Sequence, residues 1–499
     1  MENIVNERNN KIRGSLIGGA IGDALGYQIE FKRNIKDKEV TEYQNNKGII
    51  SDDTQMTLFT ANALLWRETR GSLRGIAMVP TRAIYESYLD WLDTQNNTNN
   101  HNSISWIKEI PELNIERSPG NTCLSSLSSG KMGTIEEPIN NSKGCGGIMR
   151  VAPIGLYAKD SKTAGIIGAE SSAITHGHPL GILPCYILAS MLNMIVYNNE
   201  TIEVALDKSI HQYYDEFNKF NKSDVDYLLE LINKAKKLAK ENIPDIEAIA
   251  SLGEGWVAEE TFAIAIYSCL KYYNSFQDAI ICSINHDGDS DSTGAVAGNI
   301  IGAYLGYNSI PDYYKNNVEL KDIILELADD MSVDVPISEY SSNKDEKWEN
   351  KYVYCKYIKE SKDIINNRKN ILKSDDSLVP VSLRSFISFD EDGYAFANQK
   401  LPIELENDYN NFINDYYESD DNKLVNNIVN KIKEIPYNSE TTIAQLIDYK
   451  PEVAFVSPLT QGIVSNAVLK KCETNGIKLE EIRDGFGGLA YFVKFKKIN

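Results

Sequence analysis

The chain has 499 residues, a formal net charge of −20, 42% hydrophobic residues and 24% charged residues. That length exceeds one ordinary core and predicts two domains, while the composition is ordinary for a soluble globular protein. A protein that grips phosphate backbones without regard to sequence needs a basic face, so the acidic balance argues against nucleic acid as a partner.

The polar opening, MENIVNERNNKIRG, lacks an apolar signal core, and no uninterrupted apolar stretch reads as long enough to span a bilayer. The 7 cysteines are odd in number and form no CxxC pair, which suits reduced thiols and not a disulfide frame or a zinc site. A cytoplasmic protein without membrane contact is expected. From about residue 11 to 335, long helix-like patterns alternate with glycine-rich turns, as in 51–70, 178–197 and 256–273. The run TQNNTNNHNS at 94–103 reads as a solvated loop, and 207–247 as a charged, solvated helical face. Near 340 the chain turns polar. The expected division is a helical domain over 1–338, a linker over 339–352 and an accessory region over 353–499. The last mixes acidic helical pieces with strand-like runs at 452–458 and 489–497 around a helical pattern at 459–477, which predicts a smaller α/β or α+β domain.

Two segments share an unusual spacing. Gly14, Gly18, Gly22 and Gly26 recur every four residues, as do Gly294, Gly298, Gly302 and Gly306. On a helix each set lies along one face, leaving a groove without side chains. Each glycine costs a helix roughly 1 kcal/mol against alanine, so close backbone approach is the expected compensation. Simple close packing of two core helices and the building of a site both fit. Arg13 and Asp23 argue against a membrane dimer face.

The second segment opens with HDGDSDST, where Asp287, Asp289 and Asp291 occupy alternate positions. An EF-hand would then need glycine and glutamate where Ser292 and Gly298 stand, so that reading fails. Helix capping accounts for one or two of the aspartates. SDDTQ, with Ser51, Asp52, Asp53 and Thr54, is a second acid-plus-hydroxyl cluster ahead of an amphipathic run. Two such clusters in a chain with 5 histidines suit hard divalent cations with oxygen ligands, paired as in two-metal catalytic sites. His286 beside Asp287 is too poorly supplied with further histidines for a His-Asp phosphohydrolase. Asp23 reads equally as a supporting carboxylate, a cap or a core hydrogen-bonding group, and Glu259 and Glu260 as a solvent-facing or polar seam.

Taken together, GSLIGGAIGDALGYQIEF (14–31), SDDTQMTL (51–58), GCGGIMRVAPIGL (144–156), ITHGHPLG (174–181), GEGWVAEETFAIAIY (253–267) and NHDGDSDSTGAVAGNIIGAYLG (285–306) resemble the ADP-ribosylglycohydrolase family in content and order. The resemblance covers about residues 11–310. It implies an all-α orthogonal helical domain and hydrolysis of the bond between C1 of the distal ribose and an acceptor, with two Mg²⁺ or Mn²⁺ ions as cofactors. By position it places Ser51, Asp52, Asp53, Asp289, Asp291 and Ser292 as metal ligands, with Asp291 and the acid–base carboxylate Glu30 as catalytic residues. It places Gly144, Cys145, Gly146, Gly147, Met149 and Arg150 in the loop that cradles phosphates and ribose, and His176 on the ribose. Many relatives carry asparagine where this chain has Cys145. A glycine-rich loop can hold anions through successive backbone N–H groups without net positive charge. Arg150 either adds a charge-assisted contact or forms a structural bridge. His178 reads chiefly as a helix start. The expected partner is an ADP-ribosylated protein or small ADP-ribosyl compound, arginine-linked as the first choice, with the C-terminal region docking a macromolecular acceptor. A non-catalytic ADP-ribose-binding module and a binuclear metal phosphohydrolase are the alternatives.

Overall fold

The protein is described by a computed structural model covering residues 2–32, 39–216, 220–340 and 345–357, and, further on, 383, 387–389, 395–397, 411–412, 423–434, 436, 440–442, 467–473, 475–482 and 494–498. Two compact units divide at Ile358 and Lys359. The first is all-helical. Its helices run, in chain order, α1 (Glu2–Gly26), α2 (Asp52–Arg74), α3 (Pro80–Asn96), α4 (Asn121–Ser128), α5 (Ala152–Tyr157), α6 (Ser161–Ala173), α7 (Pro179–Asn198) and α8 (Ile202–Glu216). They continue with α9 (Lys222–Leu238), α10 (Asp245–Leu252), α11 (Ala258–Lys271), α12 (Phe276–Ile284), α13 (Ser290–Leu305), α14 (Asp312–Asn317), α15 (Lys321–Met331) and α16 (Glu346–Tyr352).

At the centre, α1 and α13 lie antiparallel with their glycine faces together. A Cβ built on Gly14 would stand 2.2 Å from the Gly302 carbonyl oxygen, one on Gly18 2.4 Å from that of Gly298, and one on Gly22 1.9 Å from that of Gly294. The backbones themselves touch, so no side chain fits between them. Ser15 and Asn299 clasp the pair reciprocally: the Ser15 hydroxyl donates to the Asn299 carbonyl and the Asn299 amide to the Ser15 carbonyl, each at 2.9 Å. Close packing, one of the two expectations, is therefore correct, and it builds a site as well. The same register carries Gly26 to the start of α13, where its Cβ would meet the Ser290 carbonyl oxygen at 2.1 Å.

Around this pair, α7 forms a second buried axis. Contrary to the expectation that no segment reaches membrane length, α7 is long and apolar enough to cross a bilayer. Within the helical unit it is a core helix, with 94% of its apolar window buried among its neighbours. The charged face expected at 207–247 appears in α9, whose Lys236 pairs with Asp207 of α8, and just beyond it, where Lys240 pairs with Glu203 of α8.

The stretch 339–352, expected as a linker, carries α16. Its Trp348 is buried and donates from the indole to Thr69 of α2 at 2.8 Å, while Tyr352 donates to Asp330 at 2.6 Å and Lys351 pairs with the same carboxylate. The polar composition hid two aromatic anchors, and the helical unit runs on to Ile358.

The second unit mixes helix and strand, as expected. β1 (Ile387–Phe389) pairs antiparallel with β2 (Ala395–Ala397), and β3 (Glu440–Thr442), β4 (Lys478–Ile482) and β5 (Lys494–Ile498) form an antiparallel sheet in the order β3-β5-β4. By Cα register, Glu440 of β3 and Glu480 of β4 are the partners of Lys496 of β5 on its two sides. Helix α17 (Lys423–Glu434) buries Val425, Ile428, Val429 and Ile432, one stripe at helical spacing, and accepts Lys497 of β5 at the Lys433 carbonyl. Residues 467–473 are helical within the expected 459–477 pattern. The strand expected at 452–458 and the first part of that at 489–497 lie outside the described residues.

Gly22→Ala forces the α1 and α13 backbones apart and is expected to lower the melting temperature sharply, by more than the roughly 1–3 kcal/mol of ordinary overpacking. Gly120→Ala, where φ is −61° and the nearest obstacle lies 4.0 Å away, is the matched control and should be close to neutral. Thermal melts of the two variants check this, and equal melting temperatures would refute the backbone-contact reading.

Candidate metal centre and substrate cleft

The antiparallel pairing brings three helix ends to one place: the C-terminus of α1 and the N-termini of α2 and α13. Asp23, on the last turns of α1, links the first two. Its fully buried carboxylate accepts the Ser51 N–H at 3.0 Å, the Thr54 N–H at 3.1 Å and the Thr54 hydroxyl. Asp23 is thus a cap for a neighbouring helix, which holds α2 against α1. Ser51 adds the conventional cap, accepting the Asp53 N–H at 3.2 Å. At α13 the cap is Asp289, which accepts the Ser292 N–H at 3.3 Å, and Asp291 accepts the same N–H at 2.9 Å. Both N-termini aim their positive dipole ends at the carboxylates.

Glu30, four residues beyond α1, lands beside these groups. One carboxylate oxygen each of Glu30, Asp289 and Asp291 lies within 4.8 Å of the other two, and all three residues are buried. Ionised pairs 4.8 Å apart repel by roughly 3 kcal/mol at an effective dielectric of about 20. Burial, then Asp291 and Asp289, drive the Glu30 carboxyl up to about 10. Burial and Asp291 raise Asp52, Asp53 and Asp289 well above the carboxylate range, and Asp23 to about 7. One oxygen of Glu30 and one of Asp53 are buried without any hydrogen-bond partner. Six buried carboxylates with two orphaned oxygens fit a bound divalent cation: oxygen donors, hard-ion chemistry and negative charge awaiting compensation. Asp287 stays outside the trio, half-buried, and His286 turns into the core, its Nε2 2.9 Å from the Thr293 hydroxyl and its pKa driven down to about 4 by burial.

A frame of main-chain contacts holds this arrangement. Gly120 donates its N–H to Asp52 at 3.2 Å. The GEGW turn bears directly on Asp289, whose N–H donates to the Glu254 carbonyl at 2.8 Å. Gly288 makes this approach feasible, with φ of +144° and no room for a Cβ, which would meet the Glu254 carbonyl oxygen at 2.0 Å. Glu260 in turn accepts the N–H groups of Glu254 and Gly255 at 3.0 and 3.2 Å, and the fully buried Glu259 pairs with Lys143. These two glutamates were expected to face solvent or a polar seam; they are buttresses for the turn and for the loop opposite it.

That loop, Gly144 to Arg150, forms a 3-10 segment over Cys145–Arg150. Gly144 bridges to Val257, and the Cys145 N–H is spent on the Trp256 carbonyl at 3.3 Å. The Cys145 thiol donates to Asp289 at 2.8 Å, so the loop reaches the carboxylates, and burial with Asp289 pushes this thiol up. Gly146 and Gly147 lie tight on His176 and Ser172, where Cβ atoms would stand 3.0 Å from the His176 Cε1 and 2.1 Å from the Ser172 hydroxyl. Met149 is buried and accepts the Thr57 hydroxyl at its carbonyl.

Arg150 is fully buried. Its guanidinium sits 4.3 Å from the Tyr88 ring centroid and donates to the Thr175 hydroxyl at 2.6 Å, which lies 2.8 Å from Nδ1 of His176. Neither of the two roles considered for it, a phosphate contact or a salt bridge, describes this placement; it props His176 from behind. Burial and then Arg150 depress His176 to about 3, so the ring is neutral. His178 caps α7, accepting the Leu180 N–H at 3.0 Å, as its place before Pro179 suggests.

The structure therefore gathers Glu30, Asp52, Asp53, Asp289 and Asp291, with Ser51 and Ser292 at the caps, and sets Cys145 against them and His176 under the loop. Asp23, Glu259 and Glu260 emerge as supports. Their signal was present only as carboxylates near motifs, with nothing local to show that the partners were N–H groups on other elements.

Comparison with known proteins identifies the family. The model of the ADP-ribosylglycohydrolase family matches residues 5–341. The chain is 27% identical over 197 residues to ADP-ribosylhydrolase ARH3 of Gallus gallus, covering 36% of this chain and 54% of that protein. It thus spans about half the length of the ARH3 relatives it matches. It is 22% identical over 332 residues to the ADP-ribosyl-[dinitrogen reductase] glycohydrolase of Rhodospirillum rubrum, covering 62% of this chain and 90% of the relative. It is 24% identical over 342 residues to ADP-ribosylarginine hydrolase Tri1 of Serratia proteamaculans, covering 67% and 82%. A family match across the whole helical core, with the acidic helix ends assembled as that core dictates, leaves one conclusion: the chain belongs to the ADP-ribosylglycohydrolase family.

Proposed function

We propose that this chain is a metal-dependent hydrolase that releases ADP-ribose from an ADP-ribosylated acceptor, arginine-linked first, using two Mg²⁺ or Mn²⁺ ions. The observation that carries the reading is the set of six buried carboxylates at three helix ends, two of them with an unpartnered oxygen. A merely structural cluster of this kind would be strongly destabilising. Ser51, Asp52, Asp53, Asp289, Asp291 and Ser292 are the proposed ligands. When bound, the cations would supply Lewis-acid stabilisation of developing charge and lower the pKa of water.

The chain's own groups do the rest. With bound cations offsetting the neighbouring aspartates that raise it, Glu30 would be ionised; it takes a proton from the attacking water as the water oxygen bonds to C1 of the distal ribose and the C1–acceptor bond breaks, and the proton passes on to the leaving acceptor. The loop from Gly144 to Arg150, seated on neutral His176, is proposed to hold the diphosphate and ribose. The arginine linkage draws support from the relative that is an ADP-ribosylarginine hydrolase. Seven free cysteines, mostly buried, support a reducing compartment such as the cytoplasm.

In EDTA, Asp53→Asn removes one buried like charge and is expected to melt at or above the wild type. With Mg²⁺, the wild type should gain several degrees, since the ion binds only the folded site, while the variant gains little. Full activity in EDTA-stripped protein would sink the metal reading.

Glu30→Gln keeps the shape but not the base, so kcat is expected to fall by roughly 10²- to 10⁴-fold with little change in ADP-ribose affinity. Comparable losses in both would make Glu30 an anchor instead. The acceptor is checked by offering arginine-, serine- and acetyl-linked ADP-ribose with Mg²⁺ and measuring free ADP-ribose. Phosphate release would point to a phosphohydrolase, and binding without turnover to a reader.

A further inference from the structure

Arg150 carries a charge that the carboxylate cluster leaves unused. Its guanidinium is fully buried, and each hydrogen bond it donates goes to a neutral group: the sulfurs of Met56 and Cys123 at 3.4 and 3.5 Å, the Ser171 carbonyl at 3.5 Å and the Thr175 hydroxyl at 2.6 Å. A buried cation held by neutral groups alone is costly. The shortest of these contacts leads to the glycine-rich loop, because the Thr175 oxygen lies 2.8 Å from Nδ1 of His176.

We infer that Arg150 and Thr175 are positioning residues that fix His176 in its Nε2–H tautomer, so that the ring is a one-way donor to an oxygen of the bound ADP-ribosyl group. The ligand rests on the proposed hydrolase function; the tautomer does not. A guanidinium can only donate, so the Thr175 oxygen accepts from it. The hydroxyl proton then needs an acceptor, and the Nδ1 lone pair supplies one; the nearby Cys123 sulfur is a weak acceptor by comparison. Charge favours the same direction, since a cation behind Nδ1 attracts a lone pair there and repels an N–H. Burial and then Arg150 keep the ring neutral, so it carries one N–H. With Nδ1 accepting, that N–H is on Nε2. The Thr175 and His176 N–H groups both donate to the Ser172 carbonyl, at 3.1 and 2.9 Å, which fixes the two residues relative to each other. At the other edge of the ring the glycines leave Nε2 uncovered, where Cβ atoms built on Gly144 and Gly146 would stand 3.4 and 3.3 Å from it.

The experiment has a spectroscopic arm and a binding arm, both on the full chain. In the first, the ring nitrogens of His176 are observed by nitrogen NMR near neutral pH, assigned with His176→Gln. Protonated and unprotonated ring nitrogens resonate far apart, so the tautomer is read directly. The wild type is expected to show an unprotonated Nδ1 and a protonated Nε2; a protonated Nδ1, or averaging of the two, overturns the relay. Thr175→Val should lose the pattern and Thr175→Ser keep it, and a pattern unchanged in folded Thr175→Val also overturns the relay. If Thr175→Val does not fold, the wild-type pattern decides alone. In the second arm, free ADP-ribose should shift Nε2 of the wild type and leave Nδ1 in place. By calorimetry Thr175→Val is expected to bind ADP-ribose roughly 3- to 10-fold more weakly, the range of one hydrogen bond, with Thr175→Ser at the wild-type value. A ligand shift confined to Nδ1, or equal affinities in the three proteins, overturns the donor role. A wild type that binds no ADP-ribose refutes the proposed function, and the nitrogen pattern then decides the relay by itself.

Discussion

Everything at the centre of this protein depends on two helix backbones touching. Glycines every four residues strip α1 and α13 of side chains along one face, and the structure uses that freedom to its limit, with no Cβ-sized gap at any rung. Close contact fixes axial register as well as distance. The rung at Gly26 and Ser290 carries Glu30 and Asp291 to the same place. The helix propensity lost at each glycine is the cost of a register that ordinary side-chain packing would define less sharply.

From that register the site follows by hydrogen bonds more than by apolar packing. Asp23 collects N–H groups from the start of α2, so the second acidic cluster cannot drift from the first. Glu260 shapes the turn on which Asp289 leans, and Lys143 with Glu259 ties the glycine-rich loop to the same region. Asp23 and Glu259 are buried charges that meet donors of another segment, and Glu260 meets N–H groups of its own turn. The carboxylates they surround are the exception. Their mutual repulsion is left standing, and an arrangement that stores it is poised for cations.

Arg150 illustrates how a cationic residue in a glycine-rich loop serves by support. Its guanidinium is sealed behind the loop, over Tyr88, and reaches the ligand side only through Thr175 and His176. If the loop holds a diphosphate as proposed, the contacts are left to backbone groups and to bound cations.

Much of this was legible in the sequence because it is local. Glycine spacing announced the close helix pair, SDDTQ and HDGDSDST announced oxygen-rich helix starts, and the order of motifs announced the family. What the sequence could not state is which residues meet. Nothing in GSLIGGAIGDALG distinguishes a cap for its own helix from Asp23 capping another. EETF gives no sign that Glu260 folds back on its own turn, and SEYSSNKDEKWENKY hides the anchors Trp348 and Tyr352 in a polar run. Composition and periodicity report a residue's average surroundings. Which donor reaches a buried carboxylate, and which edge of a buried histidine stays uncovered, are decided only when segments far apart in the chain are brought into contact.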